Sequence, residues 1–121
     1  MSQTTEQRVA AARARMAELT VKFIERTRAE LDIMRARLAA LDAEGGSALA
    51  EIRNLAHRIC GTGATLGFEA LAEQAHKIEK LAAALSSAVP PDAAMLRHLA
   101  GEIDALVGEV GRLESRHAAP L

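Results

Sequence analysis

The chain has 121 residues and a formal net charge of -1, which allows one domain with a modest core. Phe23 and Phe68 are its only aromatic residues, and this scarcity argues against a β-sandwich or barrel, whose faces draw on aromatic and β-branched side chains. The near-neutral charge and the lack of rings for base stacking exclude a general nucleic-acid-binding module.

Cysteine usage and hydropathy point to a soluble cytoplasmic protein. Cys60 is the only cysteine, so no disulfide can form within the chain, which is usual in reducing compartments. The N-terminus lacks the continuous apolar segment of a signal peptide. No run of about 18 apolar residues occurs, so we expect no membrane span.

The first helix is predicted over residues 5–41, which is long for a globular protein. Its Arg- and Ala-rich start is interpreted as an extension. Three alternatives remain open: the extension is continuous with the rest of the helix, it is frayed, or a break near Thr20 and Val21 makes it a separate short helix. Glycines at 45 and 46 are expected to end the helix. Residues of helical period recur along it: Met16, Leu19, Phe23, Thr27, Leu31, Met34, Leu38 and Leu41.

Three further helices follow. The second is predicted over residues 47–66 and the third over 68–85, with Gly67 closing the turn between them. A connector with two consecutive prolines, residues 86–91, leads to the fourth helix, which is predicted to end near Ser115.

Helices that are joined by short connections pack as antiparallel neighbours. We therefore predict an all-α protein, an antiparallel up-down-up-down four-helix bundle over residues 19–115. An N-terminal helical extension at residues 1–18 precedes the bundle, and a loose tail at residues 116–121 follows it.

The second predicted helix presents a histidine on its outer face. His57 lies about 140° from Ile52 on a helical wheel, outside the apolar stripe that must face the core. Gly61, one turn further along the outer face, costs roughly 1 kcal/mol relative to Ala, which suggests that it gives another protein access to the imidazole. Gly63 lies on the stripe, where it would permit close helix packing. The stripe consists of Ile52, Leu55, Ala56, Ile59, Gly63 and Leu66.

The glycines at 61, 63 and 67 also raise the alternative of a phosphate-binding loop. Their spacing differs from G-x-G-x-x-G, no strand precedes them, and no Gly-Lys-Ser/Thr follows as in a P-loop. This alternative is therefore rejected.

The residues around His57 resemble the pattern of a known family. AHRICG at 56–61, TLGFEAL at 65–71 and the pair Ile78–Glu79 are similar to the A-H-x-L-K-G, L/F-G and Leu/Ile-Glu elements of the histidine-containing phosphotransfer (HPt) domain. Nothing resembles a kinase's nucleotide-binding domain or its H-E-x-x-x-P box.

The resemblance implies that His57 is a phosphoacceptor in a phosphorelay. Its Nε2 would accept a phosphoryl group from the aspartate of one receiver domain, and a second receiver aspartate would then take it. Imidazole suits this role because it keeps a neutral lone pair at physiological pH. The implied partners are response-regulator receiver domains and a hybrid histidine kinase. The implied protein is a phosphocarrier and not an enzyme, without ATP site, cofactor or metal, and Mg²⁺ is expected only in the partner receiver.

The family often has lysine three residues after the histidine, and here that position is Cys60. Arg53, one turn before the histidine on the same face, is the candidate replacement, and a solvated surface charge is the alternative. Arg58 points about 100° further round the helix and is a poorer candidate. Cys60 is interpreted as a small surface residue, not a redox switch, and with Gly61 and Ala64 it completes the surface for docking or phosphoryl support.

Glu79 is the candidate that orients the imidazole. His57 lies ten residues before Gly67 and Glu79 twelve after, so the two differ by roughly 3 Å along the helix axes. We expect Glu79 to accept a hydrogen bond from Nδ1; the alternatives are a solvent-facing carboxylate or a pair with Lys or Arg. A metal site of His57, His76 and Glu79 is a further alternative. The remaining histidines are interpreted as surface or core-edge residues: His98 and His117.

A second hypothesis for function involves no phosphochemistry. The chain would be a helical interaction module, with its long first helix serving in dimerisation. Phosphotransfer to His57 distinguishes the two hypotheses.

Overall fold

The computed structural model describes residues 4–41, 46–87 and 92–117. The predicted glycine stop at 45, the two prolines of the connector and the last four residues of the tail lie outside these segments. Within them no helix has the length and apolar composition that a membrane span requires. The described helices are α1 (Thr5–Ala39), α2 (Gly46–Thr65), α3 (Glu69–Ser86) and α4 (Ala93–Arg116).

The helices form the antiparallel up-down-up-down bundle that the sequence predicts. α2 packs against α1 and α3, and α4 packs against α3 and α1, so the four helices close a ring around one core. Burial of aliphatic side chains, at about 25 cal/mol per Å² of apolar area, stabilises this arrangement more than helix propensity does. The largest fully buried side chains are Leu31, Met34, Leu49, Ile52, Ile59, Leu71, Ile78, Leu85, Leu99, Ile103, Leu106 and Val110.

Side-chain caps set the starts of α1 and α4. Thr4 and Gln7 form a capping box, in which Gln7 N donates to Thr4 Oγ1 at 3.1 Å and Thr4 N donates to Gln7 Oε1 at 2.8 Å. Asp92 caps α4 by accepting from Ala94 N at 2.8 Å. The observed helix boundaries agree with the predicted ones to within one or two residues wherever the chain is described.

The turn between α2 and α3 depends on Gly67. Its φ of 86° lies in the left-handed region, which glycine adopts without steric cost. Phe68 N donates to Gly63 O at 2.8 Å, and Gly67 N donates to Ala64 O at 3.1 Å. These two bonds are the pair that defines a Schellman motif, so the reversal of the chain is fixed at one residue.

Aromatic rings close the end of the bundle that contains this turn. Phe68 stacks on Phe23 of α1 with ring centroids 6.0 Å apart. His117, which follows α4, meets the same ring edge-on at 6.1 Å. The α2–α3 turn, the end of α4 and the middle of α1 therefore lie at one level.

α1 extends beyond that level. It runs unbroken through Thr20 and Val21, and its buried residues begin at Thr20. At the N-terminal end of the predicted helical pattern, Met16 and Leu19 are 47% and 49% exposed. They keep the helical period, but the neighbouring helices end before they could cover them.

Ion pairs join α1 to α4 along the outer edge of the bundle. Arg28 bonds to Glu114, and Arg35 Nη2 lies 2.7 Å from Asp104 Oδ1. The hydrogen bond from Arg28 lowers the pKa of the Glu114 carboxyl. Such exposed pairs stabilise a fold by about 0–1 kcal/mol each, so their main effect is to set how α1 lies against α4.

Candidate functional site

His57 stands on the exposed side of α2. Its side chain is 74% exposed. The opposite side of α2 packs into the core, where Ile52, Leu55 and Ile59 are no more than 4% exposed. The helical wheel therefore placed both faces of α2 correctly. The imidazole projects from a helix whose opposite face is packed in the core.

The Glu79 carboxylate of α3 holds the His57 ring. Glu79 Oε1 lies 2.9 Å from His57 Nδ1, and the Glu79 side chain is 23% exposed. An ionised carboxylate can only accept, so the Nδ1–H of the ring is the donor. This contact leaves the lone pair of the neutral ring on Nε2, and that nitrogen makes no hydrogen bond within the described segments.

The close packing of α2 on α3 brings these two residues together. A Cβ added at Gly63 would lie 3.0 Å from Leu71 Cδ2 and 3.7 Å from the Cβ of Ala72. A methyl group at this position would therefore require the end of the Leu71 side chain to shift. Gly63 permits the close approach, and Gly67 fixes the register, so that His57 and Glu79 meet across the helix pair.

Gly61 has a different setting. It is exposed, and a Cβ built on it would meet no atom of the described residues within 4 Å. The hydroxyl of Thr65 donates to Gly61 O at 3.0 Å, so the helix is intact at this point. Packing within the described chain does not require glycine here, and its effect is to leave the outer surface open one turn from His57.

The positive charges expected near the imidazole lie on the surface. Arg53 and Arg58 are exposed, and neither forms an ion pair or hydrogen bond with a described residue. Cys60 is half-buried; its burial, together with the nearby charge of Glu79, raises the pKa of its thiol. A neutral thiol therefore occupies the place of the family's lysine. Ala64 is exposed and adds no bulk.

His76 is a second imidazole that contacts Glu79. The three-residue spacing of the two indicated that they lie within one helical turn. His76 Nδ1 lies 3.5 Å from Glu79 Oε2, and its side chain is 56% exposed. No group of three or more His, Cys, Asp or Glu in the described segments could hold a metal ion, and this includes the group around Glu79. His98 lies away from this site, on α4, with Nε2 3.4 Å from Glu102 Oε1.

Comparison with known proteins places this site within a family. A family model described as the Hpt domain matches residues 18–109. This range contains α2 and α3 completely, and it begins inside α1, so the first turns of α1 lie outside it. No curated protein and no solved structure is significantly similar to the chain.

Proposed function

This chain belongs to the Hpt domain family, and from that premise we propose that His57 accepts a phosphoryl group from one receiver-domain aspartate and passes it to another. Hpt domains take part in histidine phosphotransfer in phosphorelays, and they are phosphocarriers and not kinases. The observation that carries the proposal is an exposed imidazole whose Nδ1 bonds to a carboxylate and whose Nε2 has no partner among the described residues.

The proposed transfer is a single exchange of bonds at phosphorus. The Nε2 lone pair of His57 attacks the phosphorus of the aspartyl phosphate, and a bond forms between nitrogen and phosphorus. The bond between phosphorus and the aspartyl oxygen breaks, and the aspartate leaves as a carboxylate. The proton on Nδ1 stays in place, so the ring gains positive charge, which the Glu79 carboxylate offsets. The reverse reaction on a second receiver returns the lone pair to Nε2.

The proposal divides the remaining work between the two proteins. The receiver supplies Mg²⁺, which offsets phosphate charge, and this chain needs no metal or cofactor of its own. Gly61 leaves room for the receiver to bring its aspartate close to Nε2. A hybrid histidine kinase is the proposed source of the phosphoryl group, and the cytoplasm is the proposed compartment.

Arg53 is the residue that we propose in place of the usual lysine. It is exposed on α2, one turn from His57, and it has no partner within the described segments. Its guanidinium can therefore turn towards a phosphoryl group without breaking an existing ion pair. Arg58 would contribute through longer-range charge, while Cys60 and Ala64 would contribute by being small and uncharged.

The proposal is tested by transfer from a phosphorylated receiver to the full chain. We expect an acid-labile, base-stable phosphoryl group on the wild-type protein, because a bond from phosphorus to nitrogen has that lability and a phosphate ester of serine or threonine does not. We expect none on His57→Gln, which assigns the nitrogen to His57. His98→Gln is the matched control, since it removes an exposed histidine on α4. Labelling of His57→Gln equal to that of wild type would refute the assignment, and so would the absence of transfer from every receiver of the source organism.

A further inference from the structure

The first turns of α1 form a helix that no other described element covers. Residues Thr5–Leu19, here called the α1 extension, are exposed throughout except for Ala11, which is half-buried. At 1.5 Å per residue the extension is about 22 Å long. The family match begins at residue 18, so nearly all of the extension is an addition to the domain.

An apolar seam runs along the extension and continues into the bundle. Val9, Ala12, Met16, Leu19 and Phe23 follow one another at alternating steps of three and four residues. This is the spacing with which one helix packs along another. Val9, Met16 and Leu19 are 44%, 47% and 49% exposed, whereas Phe23 is buried. The seam therefore begins as a free surface and ends in the core.

A groove lies at the base of the extension, where the seam enters the bundle. Its volume is about 410 Å³, and it lies between α1 and the end of α2. Leu19, Phe23 and Leu66 give it apolar walls, and Lys22 and Arg26 also line it. The exposed seam and the groove thus form one continuous surface.

Basic residues border this surface. Arg8, Arg15 and Lys22 are spaced seven residues apart and flank the seam on one side, and Arg13 flanks it on the other. Arg15 and Lys22 form no ion pair with a described residue. Glu18 lies near the opposite face of the helix. The side that could receive another helix is therefore apolar in the middle and positive along the edge that carries Arg15 and Lys22, whereas the other edge carries both Glu6 and Arg13.

We propose that the α1 extension and its groove dock an amphipathic helix of a partner protein, whose apolar stripe is flanked by acidic residues. A second copy of this chain fits poorly. In a parallel pair Arg8 would face Arg13, and in an antiparallel pair Arg15 would face the same basic edge of its partner. An amphipathic acidic helix would pack its apolar stripe on the seam and place its carboxylates beside the basic residues that flank the seam.

A membrane surface fits less well than an acidic helix. The extension contains three Arg and two Glu, so its net charge is only +1 (3 − 2), and it contains no aromatic residue. Helices that lie on anionic membranes combine a strongly basic face with large apolar anchors. The docking surface also leaves the phosphotransfer site open, because the groove lies on the α1 side of α2 and His57 bonds to α3.

The test uses a fluorescent synthetic peptide of about three heptads, with Leu at the two seam positions and Glu at the flanking positions. Anisotropy is measured with the full chain. We expect this peptide to bind, and binding to weaken as salt is raised. Arg15→Glu combined with Lys22→Glu should raise Kd by about tenfold or more. Lys80→Glu combined with Arg97→Glu makes the same charge change at exposed positions of α3 and α4 and should leave Kd unchanged.

Several results would overturn the proposal. Equal binding of a peptide with Lys at the flanking positions would show that charge does not select the partner. An unchanged Kd in the Arg15 and Lys22 variant would place the site elsewhere. Self-association of the chain in sedimentation, or binding to anionic vesicles that exceeds binding to the acidic peptide, would identify a different occupant. His57→Gln should bind the peptide as wild type does, so failure of the phosphotransfer proposal and failure of this one are distinguishable.

Discussion

The His57 face of α2 and the α1 extension are both exposed helical surfaces, but they differ in what lies behind them. Ile52, Leu55 and Ile59 are buried behind His57. The extension has no buried side chain on any of its faces. One surface is therefore the outer side of a packed wall, and the other is a helix that is stabilised by its capping box and by continuity with the rest of α1.

This difference matches the functions proposed for the two regions. A nitrogen that must attack phosphorus in line has to be held in one orientation, and that requires a rigid helix and a fixed hydrogen-bond partner. A docking surface needs only an apolar seam and suitable charges on a formed helix. The packed core behind His57 and the lack of packing around the α1 extension are therefore both informative about function.

The largest expected effect is a difference in stability: mutation behind His57 should lower the free energy of unfolding far more than mutation in the α1 extension. Ile52→Ala removes a fully buried side chain behind His57 and should lower the free energy of unfolding by about 2–5 kcal/mol. Met16→Ala removes an apolar side chain of similar size from the extension and should change it by less than about 0.5 kcal/mol. Urea denaturation followed by circular dichroism measures both. A loss of stability in Met16→Ala comparable to that in Ile52→Ala would mean that the extension packs against the bundle after all.

The faces of α2 were predictable because its stripe is regular. Ile52, Leu55 and Ile59 recur at helical period, and the residue at 57 is then forced to the opposite side. The level of Glu79 was also predictable, since Gly67 fixes where the chain reverses and both helices rise by the same amount per residue.

The exposure of Leu19 could not be derived from the helical period, although Met16 falls within the predicted extension. Periodicity identifies which face of a helix is apolar, but it does not show whether another helix is long enough to reach that face. The sequence placed His76 one turn from Glu79, at the border of the site, but it did not establish a contact between them. Spacing brings the two within one turn, but side-chain orientation decides that His76 lies at Oε2 of Glu79 while His57 bonds to Oε1.

The second prediction tests whether Glu79 orients the imidazole of His57. Glu79→Gln removes the charge that offsets the phosphorylated ring, and its amide can present a donor to Nδ1. We expect phosphotransfer to slow by about tenfold, which corresponds to about 1.4 kcal/mol in the barrier. Glu73→Gln changes an exposed glutamate of α3 in the same way and should leave the rate unchanged.

A spectroscopic measurement separates orientation from loss of structure in the Glu79 variant. Nitrogen chemical shifts of the His57 ring report which nitrogen carries the proton. In the wild-type protein we expect the proton on Nδ1 when the ring is neutral, and in Glu79→Gln a mixture of both tautomers. If the rate falls while the tautomer stays as in wild type, the contribution of Glu79 is its charge and not the placement of the proton.

The smallest effect concerns Gly61, where stability and access should change in opposite directions. Gly61→Ala adds a methyl group that meets no atom of the described chain, so the gain in helix propensity of about 1 kcal/mol should appear as added stability. The same methyl group lies on the surface that a receiver must approach, so phosphotransfer to His57 should become slower.

Gly63→Ala is the matched comparison for Gly61→Ala, because it makes the same change two residues away on the buried face. Its methyl group would lie 3.0 Å from Leu71 Cδ2, and the cost of displacing Leu71 opposes the gain in propensity. We therefore expect Gly63→Ala to be less stable than Gly61→Ala by about 1 kcal/mol or more. Urea denaturation and transfer rates from one phosphorylated receiver give both comparisons. If Gly61→Ala is stabilised and transfers at the wild-type rate, the open surface beside His57 has no part in docking, because stability and access would then be unlinked at that position.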